Sequence, residues 1–222
     1  MPTAFLSAPY MSEDHQRLQH EAESTIDQRL APLVAQLEAR GPHTDHDVRR
    51  ILSETGWLGV LIGSDWGGMD EGHVAKTSRL ASVSRVSGAA GAILQASILG
   101  AAPIAEYGSE EMRRTWLPEI AAGRIWPTIA TTEPTTGSHI LAMETTARRK
   151  GNGYVLDGDK DFVGNADIGD VHCVIARTGK PHGSKSLTAF LVEKGAPGLE
   201  VIHRPLNGLY GFSADGLRLR GV

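Results

Sequence analysis

The chain has 222 residues, of which 41% are hydrophobic, and a formal net charge of −4. This length and composition predict a folded protein with one large domain or two small ones and a real buried core. The 22 basic residues are scattered along the chain, which argues against nucleic acid as a partner, because phosphate binding needs a concentrated basic patch.

The targeting and redox signals point to a cytoplasmic protein. Residues 1–11 lack the basic start and the apolar run of a signal peptide. Apolar runs such as Leu58–Ile62 are far shorter than the roughly 20 residues that span a bilayer, so we expect no membrane partner. The single cysteine, Cys173, cannot form an intrachain disulfide, which fits a reducing compartment.

The first half of the chain has the periodicity of helices. From Ser12 to Arg40 apolar residues recur every three or four positions, and Gly41-Pro42 should end that helix. The glycine-rich segment Gly63–Gly68 predicts a loop, and Ser109 is a candidate N-cap for the last helix. The predicted helices cover residues 12–40, 45–55, 72–86, 88–99 and 110–116.

After about Ile125 the pattern changes to short β-type runs separated by turn residues. Asn152-Gly153 predicts a hairpin. The predicted fold class is therefore α+β, with an N-terminal all-α helical domain over residues 1–124 and a small antiparallel β-barrel domain over residues 125–222. The predicted strands cover residues 145–148, 154–156, 171–176, 187–192, 199–203 and 217–219.

Two segments in the second half carry the candidate chemistry. Ala130–His139 offers hydroxyls, backbone N–H groups and a glycine that lets a ligand approach the main chain. Such a loop suits a polar, planar or phosphorylated ligand, and an ordinary polar surface loop is the alternative. Lys160–Asn165 follows some twenty residues later.

Taken together, these segments resemble the acyl-CoA dehydrogenase family. The matching residues are Thr132-Glu133-Pro134, Gly137-Ser138-His139 and Gly158-Asp159-Lys160-Asp161-Phe162-Val163-Gly164-Asn165. The resemblance continues, in the family's order, at Leu58–Gly68, Pro103–Glu111, Leu117-Pro118, Thr188–Glu193 and Pro197–Leu199. It thus covers nearly the whole chain, and several separate motifs that agree are more specific than any one of them.

The resemblance implies that FAD binds against the barrel. In the family, the residues at Thr131 and Thr132 contact the edge of the isoalloxazine ring, and those at Gly137 and Ser138 lie beside the flavin and the thioester arm. Phe162 stands where the family usually has a tryptophan against the ring, and a Phe face can still stack. The implied cofactor-binding residues are Thr131, Thr132, Gly137, Ser138, Phe162, Val163 and Gly164, and the implied substrate-binding residues are Ser138 and His139.

Two positions depart from the family pattern. Gly164 replaces a Thr or Ser whose hydroxyl hydrogen-bonds the flavin near N5, and the loss of such a bond costs about 0.5–1.5 kcal/mol. His139 replaces the usual Asp. An exposed loop residue is the simpler interpretation of His139, and altered substrate recognition is the alternative.

The family removes an α-proton with a carboxylate that lies in a C-terminal helical bundle. The sequence reaches Val222 where the barrel should lead into that bundle, so we assign no catalytic residue and expect Glu133 to be structural. The resemblance implies an acyl-CoA or acyl-carrier-protein substrate and a homo- or hetero-oligomer with a chain that carries the bundle. A non-redox binding or assembly module and a flavin monooxygenase on the same fold are the alternatives.

Overall fold

The computed structural model describes residues 11–39, 44–180 and 186–222, and it shows a helical first half followed by a sheet. Helices form where apolar residues recur on one face, and these faces meet in one core cluster. The α-helices of the described part are α1 (Glu13–Arg29), α2 (Val34–Glu38), α3 (Thr44–Glu54), α4 (Gly72–Val86), α5 (Gly88–Tyr107) and α6 (Glu110–Ala121).

The first predicted helix is interrupted at Pro32. Helix α1 ends at Arg29, a 3-10 turn follows over Ala31–Leu33, and α2 begins at Val34. Proline lacks the N–H of the helical ladder, and its ring clashes with the carbonyl four residues earlier. A single helix over residues 12–40 is therefore wrong, although the predicted apolar face is buried. The predicted stop at Gly41-Pro42 lies outside the described residues.

Helix α5 lies at the centre of the helical half and runs beyond its predicted end at Leu99. It continues through Gly100, where the lack of a side chain lets the helix approach the sheet: a Cβ there would lie 2.5 Å from the carbonyl carbon of Pro127. The helix is longer and more apolar than the run at Leu58–Ile62, and it could span a bilayer by length and composition. However, 56% of its apolar window is buried inside the protein, as in the core helix of a folded domain.

The other helix predictions are confirmed with small shifts. Helix α4 has its predicted bounds, α3 begins and ends one residue earlier than predicted, and α6 continues past the predicted Trp116 to Ala121. Gly56 leaves α3 with φ of 71°, which favours glycine. The predicted loop Gly63–Gly68 contains one 3-10 turn, Ser64–Trp66.

The second half forms a curled sheet around its own apolar cluster. Its hydrogen-bonded order is β1-β4-β2-β3-β7-β6, and β5 pairs with β4. The strands found in the described residues are β1 (Pro127–Ala130), β2 (Thr146–Lys150), β3 (Gly153–Gly164), β4 (Val171–Arg177), β5 (Leu187–Glu193), β6 (Leu199–Ile202) and β7 (Ala214–Arg220).

The two-part α+β layout is confirmed, whereas the sheet is mixed rather than antiparallel throughout. Strands β1 and β2 both pair with β4 in parallel orientation, and the remaining pairs are antiparallel. Between β1 and β4 the chain passes through the β2–β3 hairpin. Strand β3 runs opposite to β2, and the chain reverses once more before β4, so β4 runs in the same direction as β1 and β2. The predicted hairpin is present, but its turn residues are Gly151 and Asn152, one position earlier than expected.

Side chains from both halves join the helices to the sheet. Trp126, just after the predicted boundary at residues 124/125, is 0% exposed and packs in the helical core, where its Nε1 donates to Ser53 Oγ at 2.9 Å. From the sheet side, Asn165 Nδ2 donates to the carbonyl of Ile93 at 2.7 Å. The Trp126 contact joins the segment before β1 to α3, and the Asn165 contact joins the end of β3 to α5.

Candidate functional site

The two segments singled out in the sequence meet in the structure. Strand β1 leads into the polar loop at Thr131, and strand β3 carries the second segment alongside it. The amide of Asp161 donates to the carbonyl of Thr132 at 2.8 Å, and Lys160 Nζ donates to the carbonyl of Thr131 at 3.1 Å. These two bonds tie the start of the polar loop to β3 and leave the amides and hydroxyls of Thr131 and Thr132 as the donors that a ligand could meet.

A buried ion pair holds this junction together. Lys160 Nζ lies 2.9 Å from Glu133 Oε1, and both side chains are almost fully shielded from solvent. The amides of Glu144 and Thr145 donate to the two carboxylate oxygens at 2.6 and 2.9 Å. Burial raises the pKa of Glu133, but these donors together outweigh it and hold the pKa below its ordinary value. Glu133 is therefore a structural anion, as expected.

Phe162 is held in an unusual conformation at a bulge in β3. The register against β7 shifts between Lys160 and Val163, and Phe162 has φ of 54°. A bulky residue rarely adopts this left-handed region, because its Cβ is crowded there. Bulges re-aim side chains, and Phe162 is 62% exposed. The fold thus presents an aromatic face outward from an otherwise buried strand end.

This ring borders a cavity of about 350 Å³ between the sheet and α5. The size lies within the usual range of small-molecule sites, about 300–1,000 Å³. One wall comes from the ends of β1 and β3 and the other from one face of α5, whose lining residues are spaced three or four apart. The lining residues are Ala92, Gln95, Ala96, Leu99, Ile129, Thr131, Thr132, Phe162, Gly164 and Phe212.

Four of the predicted cofactor residues line this cavity together: Thr131, Thr132, Phe162 and Gly164. The others lie elsewhere. Val163 is 1% exposed and packs in the sheet core, because the bulge points it away from Phe162. The predicted Gly137, Ser138 and His139 lie on the exposed loop that follows, outside the cavity lining.

The cavity wall has room for a ligand but not for a larger residue at position 164. A Cβ on Gly164 would lie 2.9 Å from both Ala96 Cβ and Phe212 Cζ. Ala96 on α5 and Phe212 in the loop before β7 therefore fill the space at position 164 that the resemblance assigns to a Thr or Ser side chain.

The residues that line the cavity fit a flat aromatic cofactor. Phe162 offers an exposed ring face on which a flat ring can stack. Thr131 and Thr132 line the same cavity and offer hydroxyl donors to the polar edge of such a ring. In the helical wall, Gln95 Oε1 is shielded from solvent and has no hydrogen-bond partner within the described residues. Such an acceptor is typical of a site that a ligand or water completes.

Three lining contributions were not predicted from the sequence: the α5 residues, Ile129 on β1 and Phe212. The α5 residues follow a helical spacing from Ala92 to Leu99 within a predicted helix, but that spacing does not distinguish a ligand-facing side from a buried one. Phe212 lies in the loop between β6 and β7, and no local pattern marks it.

The cavity lining includes no Asp, Glu, His or Lys side chain within the described ranges. The nearest carboxylate of the polar loop, Glu133, is held in its ion pair with Lys160. A general base must reach the proton that it removes. Within the described residues, the cavity lining therefore supplies no carboxylate that could act as such a base.

Comparison with known proteins covers both halves of the chain. The acyl-CoA dehydrogenase N-terminal domain matches residues 12–124, and the middle domain of the same family matches residues 128–222. The chain is 31% identical over 195 residues to a glutaryl-CoA dehydrogenase of Desulfococcus multivorans, covering 86% of this chain and 50% of the relative. It is 41% identical over 99 residues to an L-prolyl-[peptidyl-carrier protein] dehydrogenase of a Serratia species, covering 45% and 26%.

Solved structures agree with this similarity. The acyl-CoA dehydrogenase of Bacillus anthracis in complex with FAD superposes with a TM-score of 0.86 at 28% identity, over 96% of this chain and 36% of that one. The chain spans about half the length of the curated relatives that it matches over most of its own length. With the two family domains matched in order and the site segments in contact, the chain belongs to the acyl-CoA dehydrogenase family.

Proposed function

We propose that this chain is the flavin-binding part of an acyl-thioester dehydrogenase, with the isoalloxazine ring of FAD in the cavity beside Phe162. The observation that carries the proposal is the exposed Phe162 ring, held at φ of 54° next to Thr131 and Thr132. FAD would supply the acceptor for the hydride that leaves the β-carbon of the acyl group. The FAD complex of the Bacillus anthracis relative supports this choice of cofactor.

In this proposal the sheet wall of the cavity binds the flavin ring, and the α5 wall excludes water. The Phe162 face stacks against the ring, and the amides and hydroxyls of Thr131 and Thr132 hydrogen-bond its polar edge. The α5 wall, with Ala96 and Leu99, is apolar and keeps water from the reacting carbons. Burial of the Glu133–Lys160 pair keeps the two strand ends at a fixed separation.

The substrate in this proposal is an acyl thioester carried by CoA or by a carrier protein. Relatives with these two kinds of carrier, glutaryl-CoA and a prolyl-carrier protein, support both. Ser138 and His139 lie on the exposed loop that follows Thr132 in the chain, where they are open to a thioester arm arriving from solvent. These two residues remain the predicted substrate contacts.

The carboxylate base in this proposal comes from a helical segment outside the described residues or from a second chain. The cavity lining supplies none, and Leu99 and Phe162 leave apolar surface exposed beside it. An apolar rim of this kind favours association. We therefore propose a homo- or hetero-oligomer in which helices cover the rim.

Flavin titration tests this function. The purified 222-residue chain is titrated with FAD, and binding is followed by the flavin absorbance spectrum and by quenching of flavin fluorescence. We expect saturable binding, with no flavin reduction when butyryl-CoA or glutaryl-CoA is added to the chain alone. Reduction should follow when a C-terminal acyl-CoA dehydrogenase helical domain is supplied as a separate chain. Lack of FAD binding would overturn the proposal.

The rival function is a non-redox module that keeps the fold and binds an acyl carrier. The crowding of Gly164 by Ala96 and Phe212 favours it, because it narrows the cavity where a flavin ring would lie. This rival predicts no FAD binding at any ratio of FAD to protein, together with retained affinity for an acyl-carrier protein. The same titration, repeated with acyl-carrier protein, separates the two functions.

A further inference from the structure

The loop between β6 and β7 brings Phe212 to the cavity, and contacts on both sides fix its position. Gly211 packs so closely on α2 that a Cβ there would lie 2.2 Å from Leu37 Cγ. The amide of Phe212 donates to the carbonyl of Leu209 at 2.8 Å, and the amide of Asn165 donates to the carbonyl of Ser213 at 3.0 Å. The ring is therefore placed by the fold.

Phe212 and Gly164 are complementary in size. The tip of the Phe212 ring lies 2.9 Å from the Cβ that position 164 lacks, and both residues line the same cavity. Phe162 lines it as well, so two aromatic rings border one space. Contacts with the helical core cluster hold the Phe212 ring on its other side.

We propose that Phe212 sets the width of the cavity and supplies a second aromatic wall to the bound flavin, in place of a side chain at position 164. The flavin part of this inference rests on the proposed function, whereas the packing part does not. An aromatic wall stabilises a flat ring by dispersion and by its quadrupole. A hydroxyl at position 164 would instead give one directed hydrogen bond, so the two arrangements differ in how they perturb the flavin spectrum.

The packing part is tested by a double-mutant cycle without flavin. Gly164→Ser, Phe212→Ala and the double variant are unfolded with denaturant. We expect Gly164→Ser to lower the midpoint, and the drop to be smaller in the Phe212→Ala background, because the ring no longer meets the new side chain. Ala96 still lies 2.9 Å from the new Cβ, so the recovery is partial. If the losses of stability in the two single variants simply add in the double variant, the inference that Phe212 fills the space beside Gly164 is overturned.

The flavin part is tested by titrating FAD into the 222-residue chain and its variants. Phe212→Ala should weaken binding about fivefold to tenfold and reduce the shift of the flavin absorbance spectrum on binding. Phe212→Leu keeps an apolar side chain without a ring, and it should restore part of the affinity but not the spectral shift. Leu209→Ala, a nearby exposed residue of the same loop, is the control and should bind as the unchanged chain does.

The outcomes separate this inference from the proposed function. Equal affinity and spectrum for Phe212→Ala and Leu209→Ala would overturn the aromatic wall while leaving flavin binding intact. If the unchanged chain binds no FAD, the proposed function and the aromatic wall both fail. The unfolding cycle then decides the packing part on its own.

Discussion

Glu133 and Lys160 show how one residue pair stabilises the site. Both side chains are shielded from solvent, and Glu133 also accepts from the amides of Glu144 and Thr145. Removing one partner of such a pair leaves an uncompensated buried charge, which costs more than the pair itself contributes. The junction of the two strand ends should therefore be sensitive to neutralisation of Glu133.

We expect Glu133→Gln to lower the free energy of unfolding at pH 7 by about 3–5 kcal/mol. The pKa of Glu133 in the folded chain lies below its ordinary value, so its contribution is present above the unfolded pKa and is lost as pH falls through the folded pKa. The difference in unfolding free energy between the unchanged chain and the variant should narrow as the pH falls below 4.5, the ordinary pKa of a glutamate side chain. Denaturant unfolding at several pH values measures it.

Glu110→Gln is the matched control, because Glu110 forms an exposed pair with Arg114 on α6. Exposed pairs contribute about 0–1 kcal/mol, so this variant should unfold almost as the unchanged chain does. An equal loss in both variants would contradict the role of the buried pair.

Phe162 combines an exposed ring with a strained backbone. A left-handed φ, as at Phe162, costs a residue with a Cβ about 1–3 kcal/mol, persists only where the surrounding structure holds it, and is found most often at functional sites. The ring itself contributes little to the core, because it is 62% exposed. Stability and ligand binding should therefore oppose each other at this position.

We expect Phe162→Gly to raise the denaturation midpoint and to weaken FAD binding, because glycine relieves the strain and removes the ring. Phe162→Ala should lose FAD affinity as well but gain less stability, since alanine keeps a Cβ. Parallel unfolding and FAD titrations measure both effects. FAD binding that is unchanged in both variants would contradict ring stacking.

At the scale of elements, Arg49 on α3 joins the helices to the turn before β4. It donates to the carbonyl of Ile168 and to Asp170 Oδ2, and its guanidinium lies 5.5 Å from the centre of the Trp126 ring. Asp170 Oδ2 also accepts from the amide of Trp126 at 2.8 Å. A planar, forked group makes these contacts at once, which a lysine ammonium does not.

We expect Arg49→Lys to lower the free energy of unfolding by about 1–3 kcal/mol through loss of the fork and of the ring contact. Arg50→Lys is the control, because Arg50 lies next to it on α3 and forms exposed pairs within the helix. Thermal unfolding of both variants checks the difference. Equal midpoints for Arg49→Lys and Arg50→Lys would show that the contact between α3 and the turn before β4 does not depend on guanidinium geometry.

At the scale of the molecule, the two halves share core and hydrogen bonds. Trp126 and Ile168 belong to the helical core cluster although both lie after α6 in the chain. Asn165, at the end of β3, donates to Ile93 and Ser97 on α5 at 2.7 and 3.0 Å. These shared contacts should make the halves unfold as one cooperative unit.

We expect a single unfolding transition, with hydrogen exchange measured by mass spectrometry exposing the helical amides and the sheet amides at the same denaturant concentration. Asn165→Gly keeps the φ of 59° that this position requires but removes both bonds to α5, so it should lower the midpoint and begin to separate the two signals. Asn152→Gly, in the exposed hairpin turn, is the control. Two separate transitions in the unchanged chain would contradict the shared core.

Local patterns were enough to predict most elements and the family. Helical periodicity placed α3, α4 and the start of α5, and short β-type runs placed six of the seven strands, because side-chain spacing reflects which face is buried. Strand β1 was missed, since it begins at Pro127, a residue that argues against a strand, and its buried positions do not alternate. The break at Pro32 was a local signal that the apolar pattern masked.

The sequence by itself determined the order of the two halves and the two segments of the site, because both depend on residue type and spacing along the chain. Tertiary structure alone decided which residues share the cavity. Gln95 and Phe212 come from segments distant from Phe162 in the chain, and Val163 turns into the core because of a bulge. Contacts between distant segments, and the direction of a side chain at an irregular strand end, follow from packing that no local pattern encodes.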